Sequence, residues 1–446
     1  MQKTLKFLLI CGFIIGFRSI PLASAAEVTD VADAAHKLLI GNSEQQIPIS
    51  IYLDDSIEFL MENGIISREV IDLEGRTSGC SASNPFGCQP VDELRYTRNT
   101  YTYKLHTQIG IYQDLAITLG WSYIIGQTTK FGYAPGVTAA TSTVNSSDTN
   151  IGSNFNHKYK SSHKGSGALE FGFRYAPLSD ELDQSKPMWV LACNWAAPWS
   201  TKTNTISRDP STNDPGPVGD GMHYLTFSTA LSKRLGNFGE LSTRPNANRR
   251  GYLDPYIEIA YVWPIAGKNA LPAISSSKFA KSPSQQIKFH TGFEIIPYED
   301  LRNKRKLAID LGLKSTYFTR GRNYSLLTDP LKRLTYTEQY LFISGVVGIY
   351  AQIASFVRLK LNVTLGYQTP HLLTGEREGQ DRNNDGRITT QNEDPNSPDI
   401  ANPYFCGPAQ AATCANGGLA YDQIGMRFKD ANHVVFGAST SLLLTF

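Results

Sequence analysis

The stretch DRNNDGRITTQNE, residues 381 to 393, carries oxygen-bearing side chains at alternate positions: Asp381, Asn383 and Asp385. Gly386 permits a tight turn, and the Arg387 carbonyl and the Thr389 side chain continue the series, which is the spacing by which a loop gathers hard oxygen ligands around Ca2+. Asn392 stands where the closing bidentate carboxylate belongs and Glu393 comes one residue late, with no helical pattern on either side. The spacing predicts a loosened calcium clasp closed by Glu393 or Asp394, set against the plainer reading of a solvated acidic turn.

Two cysteine pairs at matching spacing, Cys80 with Cys88 and Cys406 with Cys414, lie in segments rich in Ser, Asn, Gly and Pro. In an oxidising compartment they predict two local disulfides, with crossed pairing between the segments left open. Cys193, alone on an alternating stretch, reads as a packed or lipid-facing residue rather than a nucleophile. Hydrolytic chemistry would need a serine and a histidine within hydrogen-bonding reach and a third orienting group. His106, His290, His371 and His433 are available, yet no nucleophile elbow, phosphate loop or zinc-protease motif accompanies them, so the chain is not expected to be an enzyme.

The elements that position these residues begin after an export signal. Residues 1–25 combine two lysines, the apolar run FLLICGFIIGF and the small residues Ala23-Ser24-Ala25, the pattern of a cleavable signal peptide. Residues 26–46 form a short N-terminal segment, helical or disordered, and 47–446 read as one domain. A net charge of +2 with 18% charged residues excludes the basic surface of a nucleic-acid-binding protein.

Period-two alternation dominates the remainder. Tyr101, Tyr103, Leu105, Ile109 and Ile111 oppose Thr102, Lys104, His106 and Gln108; Leu115, Ile117, Leu119 and Trp121 oppose Ala116, Thr118 and Gly120. The same contrast recurs around Phe171, Ile259, Phe289, Ile309 and Leu361, with weaker members near 188–199, 222–235 and 338–350, and an earlier segment within 49–73 supplies a twelfth strand. Runs of ~10 residues suffice for a tilted strand to cross a bilayer. Long polar links near 74–98, 131–166, 200–222, 267–284, 321–335 and 370–431 alternate with generally shorter ones, 236–251 being the exception. Tyr101, Trp121, Trp195, Trp263, Tyr317 and Tyr367 fall toward the long-link ends of their strands, and Tyr175, Tyr350 and Phe446 toward the opposite ends, where rings favour the headgroup level.

The terminal stretch VVFGASTSLLLTF, with the export signal and the strand pattern, resembles the last strand of Gram-negative outer-membrane β-barrels, a broad porin-like class rather than one family. The fold class implied is all-β: a transmembrane antiparallel up-and-down barrel of about twelve strands with long extracellular loops and both termini periplasmic. The resemblance also implies outer-membrane lipid around the wall and the barrel-assembly machinery as reader of the C-terminal strand.

By parity the lumen receives Lys104, His106, Glu170, Arg174, Glu258, Lys288, His290, Glu294, Lys306, Asp310, Lys314, Arg358 and Lys360. Cations outnumber anions among them, which predicts a porin-like channel or diffusion-facilitating transporter for small solutes with a bias toward anions. The alternative is a surface-displayed barrel that binds a partner, or anchors an envelope or motility component, through disulfide-bonded, calcium-ordered loops.

Overall fold

The computed structural model describes residues 50–69, 90–112, 115–144, 159–178, 186–199, 216, 218–219, 221–235, 252–266, 283–300, 303–331, 334–382, 388, 399–402, 405–406 and 421–445. The signal peptide, the 26–46 segment, Phe446, Cys80, Cys88 and Cys414 lie outside them, as does the 236–251 link. So do Asn383, Asp385, Arg387, Thr389 and Glu393 of the calcium motif.

The wall consists of β1 (Ser50–Arg68), β2 (Val91–Tyr112), β3 (Leu115–Tyr133), β4 (Lys160–Leu178), β5 (Met188–Ala197), β6 (Met222–Ser232), β7 (Leu253–Ala266), β8 (Gln286–Asp300) and β9 (Arg305–Phe318). After a small hairpin of β10 (Gly321–Asn323) and β11 (Thr335–Thr337), it continues with β12 (Tyr340–Ala354) and β13 (Val357–Gln368). The short strands β14 (His371–Leu372), β15 (Gly379–Gln380) and β16 (Ile400–Ala401) precede the final wall strand, β17 (Phe428–Thr445). Each wall strand pairs antiparallel with the next, and β17 closes on β1 from Tyr52 opposite Thr445 to Arg68 opposite Phe428, giving a closed barrel of 12 strands. Closure leaves no edge, which a bilayer demands because an unpaired backbone group in hydrocarbon costs several kcal/mol.

The outward face is apolar. Ile117, Phe173, Ile259, Leu313, Val347, Val363 and Leu365 are large, exposed and alternate with polar or small inward neighbours, the inverse of a water-soluble core. Among the described residues no helix is long and apolar enough to cross a membrane. Tyr101, Trp195, Trp263, Tyr317 and Tyr367 stand exposed on this face, while Tyr175, Tyr298 and Phe356 lie toward the short-turn end.

Two features differ from the sequence-based expectation. Tyr350 is not part of the aromatic belt: it points inward, 1% exposed, because the alternation of β12 places Val347, Ile349 and Ile353 outside. The first four strands, of 19, 22, 19 and 19 residues, run well past the belt, whereas β5 and β6 have 10 and 11. Tyr101 therefore lies midway along β2 rather than at its end. The surplus of β1–β4 forms a raised wall at the long-loop end, and it includes residues 91–98, 131–133 and 160–166, which read as loop in the sequence.

Glycine has a definite purpose at two places inside the barrel. Tyr256 lies across Gly292 and Gly312 on the next two strands, and a Cβ on Gly312 would stand 2.8 Å from the Tyr256 hydroxyl oxygen and 2.9 Å from His290 Nε2. Tyr96 likewise lies over Gly64, whose Cβ would be 2.5 Å from its hydroxyl oxygen.

Candidate functional site: the roofed lumen

The interior has three storeys. The lowest, toward the short turns, is a buried polar network. Lys306 Nζ meets Glu294 Oε1 at 2.9 Å and lies 5.7 Å from the centre of the Tyr350 ring, all three being almost wholly buried. Tyr256 donates its hydroxyl to Asp310 Oδ1 at 2.8 Å and sits 3.3 Å from His290 Nε2. Arg174 reaches Gln108 Oε1 at 3.4 Å, and the buried Arg358 reaches Thr445 Oγ1 at 3.5 Å across the β13–β17 pair. A buried charge without a partner is expensive, so these groups knit the wall together rather than await a solute.

Above this network the predicted positions are more open. Lys104, Glu170, Lys288 and Lys314 are exposed, His106, Glu258, His290 and Lys360 partly so. Lys104 pairs with Glu58 at 2.5 Å, and His290 Nδ1 lies 3.8 Å from Glu258. The excess of cations does not survive the addition of β1 and the top of β17. These supply Asp54, Glu58, Glu62 and Asp430, which the sequence could not assign to a face without the register of β1.

The middle storey is a cavity of about 460 Å³ lined by Glu62, Arg98, Lys314, Ser344, His371 and His433 among others. One side carries rings in series: Phe318 stacks on Tyr340 with centroids 4.4 Å apart, and Tyr340 on His371 at 4.0 Å. On the other side His433 Nδ1 and Asp430 Oδ2 are 2.9 Å apart, Tyr96 donates to Asp430 Oδ1 at 3.1 Å, and Arg98 meets Glu62 at 3.2 Å. Among the described residues no serine hydroxyl bonds to His371 or His433.

The third storey is a roof that the sequence did not announce. The link from β9 to β12 crosses the mouth and places Leu326, Leu327 and Leu331 in a dry cluster with Ile66, Leu94, Tyr96, Phe131 and Phe428 of the opposite, raised wall. Its one-turn helix, Thr328–Leu331, starts where the Ser325 amide donates to Thr328 Oγ1 at 2.7 Å. Asp329 latches the helix to β4 through His163 Nε2 at 2.6 Å and accepts the Tyr324 hydroxyl, while Arg322 pairs with Glu376 at 2.6 Å. The apolar motif YSLLTDPL, too greasy for a solvated link, was the available signal.

The β13–β17 link closes the roof from the other side. Arg427 grips Glu69 through two bonds of 2.8 Å, and Glu93, fully buried, accepts from Ser142 Oγ and Thr143. Asp422 Oδ1 accepts the amides of Gly375 and Glu376 at 2.9 and 3.0 Å, and Oδ2 that of Cys406 at 2.9 Å. Burial pushes the Asp422 carboxyl from 3.8 up to about 6, against the pull of those three donors. Because the folded state holds this proton more tightly than the unfolded one, the link is most stable at low pH and loses stability as pH rises from about 4 to about 6. Amide protection at Gly375, Glu376 and Cys406, corrected for intrinsic exchange rates, should fall across that window. Asp422→Asn, neutral at every pH, should abolish the trend, and an unchanged trend in this variant would count against the assignment.

Of the calcium motif, Asp381 is described. It follows β15, which pairs with β16, and the Arg382 amide donates to Asp399 at 2.8 Å. Cys406 is fully buried in the roof cluster, and Cys193 is a free thiol of intermediate exposure on the outward face of β5.

Fold, closure and apolar exterior define a transmembrane β-barrel of the outer-membrane type. Solved structures similar to it include an outer membrane channel from Pseudomonas putida F1, at 9% identity and TM-score 0.38 over 90% of this chain and 97% of that one. A FadL homologue from Pseudomonas aeruginosa shows 9% identity and TM-score 0.34 over 95% and 96%. The outer membrane protease OmpT from Escherichia coli shows 8% and 0.28 over 89% and 97%. At these scores the likeness leaves activity open. No protein-family model matches the chain, and no curated protein matches it in sequence.

Proposed function

We propose that this barrel is a gated passage for small solutes across the outer membrane, with both termini and the short turns on the periplasmic side and the roof outside. The observation that carries the reading is the cavity of about 460 Å³ inside the wall, which lies directly beneath the roof. A structural plug would need no such space, and interiors normally pack without it. A barrel of this strand number stands between those filled by side chains and those with an open channel, so a movable segment decides whether it conducts.

The roof is anchored by side chains at its tip and by strands at its ends, the arrangement of a segment that swings. Current through single barrels in a planar bilayer tests this. The intact protein should be quiet with brief openings, and Asp329→Ala, which unlatches the helix from His163, should lengthen them. Equal silence in wild type and variant would favour the reading as a surface-displayed binding barrel, for which the raised β1–β4 wall offers a platform.

Calcium belongs to the same proposal as an ordering ion for the 381–393 loop. Titration calorimetry of the refolded barrel should show one saturable site that disappears in Asp381→Ala, and protection of the loop from proteolysis should follow the same curve. An absence of heat and of protection removes the clasp.

A further inference from the structure

Among the described residues of the cavity wall, a spare cation stands beside a spare hydroxyl. Lys314 on β9 lies directly opposite Ser344 on β12, both facing inward, and directly opposite side chains stand within about 5 Å of each other at Cβ. Ser344 is 2% exposed, and its Oγ has no hydrogen-bond partner among the described residues. Lys314 makes no ion pair with any described carboxylate. The acids around the cavity are all engaged: Glu58 by Lys104, Glu62 by Arg98, Asp430 by His433 and Tyr96. What is left over is therefore positive and hydrogen-bond-donating, and it sits at the lower rim of the cavity. Lys288, one cross-strand step away opposite Thr316, adds a second ammonium group.

From this rim the wall continues through Phe342 and the Phe318–Tyr340–His371 series toward the roof. We propose that the cavity is a binding site for a small monoanionic organic acid with a flat apolar body. Its carboxylate would be held by Lys314 Nζ and the Ser344 hydroxyl, and its body would lie along the stacked rings. A carboxylate accepts from both groups at once, satisfying a buried hydroxyl that is otherwise left without a partner. The rings supply a surface on which a planar body loses little conformational freedom. Passage of such an acid would be facilitated by a stop at this seat, so the inference rests on the passage reading and assigns it a substrate class.

The test uses benzoate as probe, benzamide as its neutral counterpart and acetate as the anion without a body, titrated calorimetrically into detergent-refolded full-length barrel. Wild type and Asp329→Ala are both titrated, so that a shut roof cannot hide the site. Benzoate should bind saturably and more tightly than either control. Lys314→Gln should weaken benzoate about tenfold or more, as expected for loss of a charge-assisted bond, and leave benzamide unchanged. Ser344→Ala should weaken benzoate several-fold, and Lys314→Arg should restore most of the affinity, with folding of each variant checked by its heat-modifiable band on gels.

Equal affinity for benzoate and benzamide, insensitivity to Lys314→Gln, or no saturable binding in either background overturns the seat. Bilayer recording separates the two levels of the argument. A barrel that opens but is neither blocked nor selective for benzoate loses the proposed seat and keeps the passage, whereas a barrel that never opens loses the passage itself.

Discussion

Replacing residues 324–334 with a short Gly-Ser linker should turn a quiet barrel into one that conducts steadily, with mean current raised by about an order of magnitude or more, as expected when a constriction becomes a water-filled pore. The exchange removes Leu326, Leu327 and Leu331 from the dry cluster and breaks the Asp329–His163 latch. It leaves every wall strand intact, because residues 324–334 contribute no wall strand and the flanking β10–β11 hairpin does not pair with the wall. The heat-modifiable band should stay folded at room temperature while the conductance rises. A conductance that stays low in a correctly folded variant would mean that the buried lower network, and not the roof, shuts the lumen.

The second large effect is on assembly. Gly312→Val should lower the unfolding midpoint steeply, equivalent to about 3 kcal/mol, from overpacking and from loss of a buried hydrogen bond to a carboxylate. The added atoms would occupy the space of the Tyr256 hydroxyl and force that ring off Asp310. Tyr256→Ala removes the obstruction, so the double variant should lose much less than the sum of the two single losses. Strict additivity in temperature-dependent gel shifts would show that the Tyr256 ring does not in fact lie across Gly312.

How much of this was legible in the sequence follows from what each residue faces. In β3, β8, β9 and β13 one side meets acyl chains and the other the lumen, so Ile117, Phe289, Ile309 and Leu361 write a period-two pattern that no other fold class explains as well. Where β2 and β3 rise beyond the belt, both faces meet water or the roof. The alternation then dissolves, and VDELRYTR reads as loop although it is strand. Tyr350 was misplaced for a related reason: between Ser344 and Gln352 the inward row of β12 is Val346, Gly348 and Tyr350, with no charged side chain to mark it against the outward row. The charge balance of the lumen failed on β1, where Asp54, Glu58 and Glu62 face inward only once pairing with β17 fixes the register.

The candidate site was legible in its parts and not in its assembly. Lys314, Lys288 and His290 fell on the inward face from local alternation. Ser344 beside Lys314, and His371 against Tyr340, depend on cross-strand register between strands that a long link separates, which local pattern does not encode. The roof depends on a link crossing to the far wall, a long-range contact for which three leucines in a polar stretch are the single trace.

The central claim is that side chains alternate between acyl chains and a wet lumen around a closed wall. Spin labels placed one at a time along β13 in liposomes test it directly, by comparing collision with oxygen, which partitions into lipid, and with a water-soluble nickel chelate. Labels at Leu361, Val363 and Leu365 should favour oxygen, and those at Asn362 and Thr364 should not, giving a period of two along the strand. Uniform exposure to the nickel chelate at all five positions, or a mature protein that stays soluble and monomeric without detergent, would contradict the account.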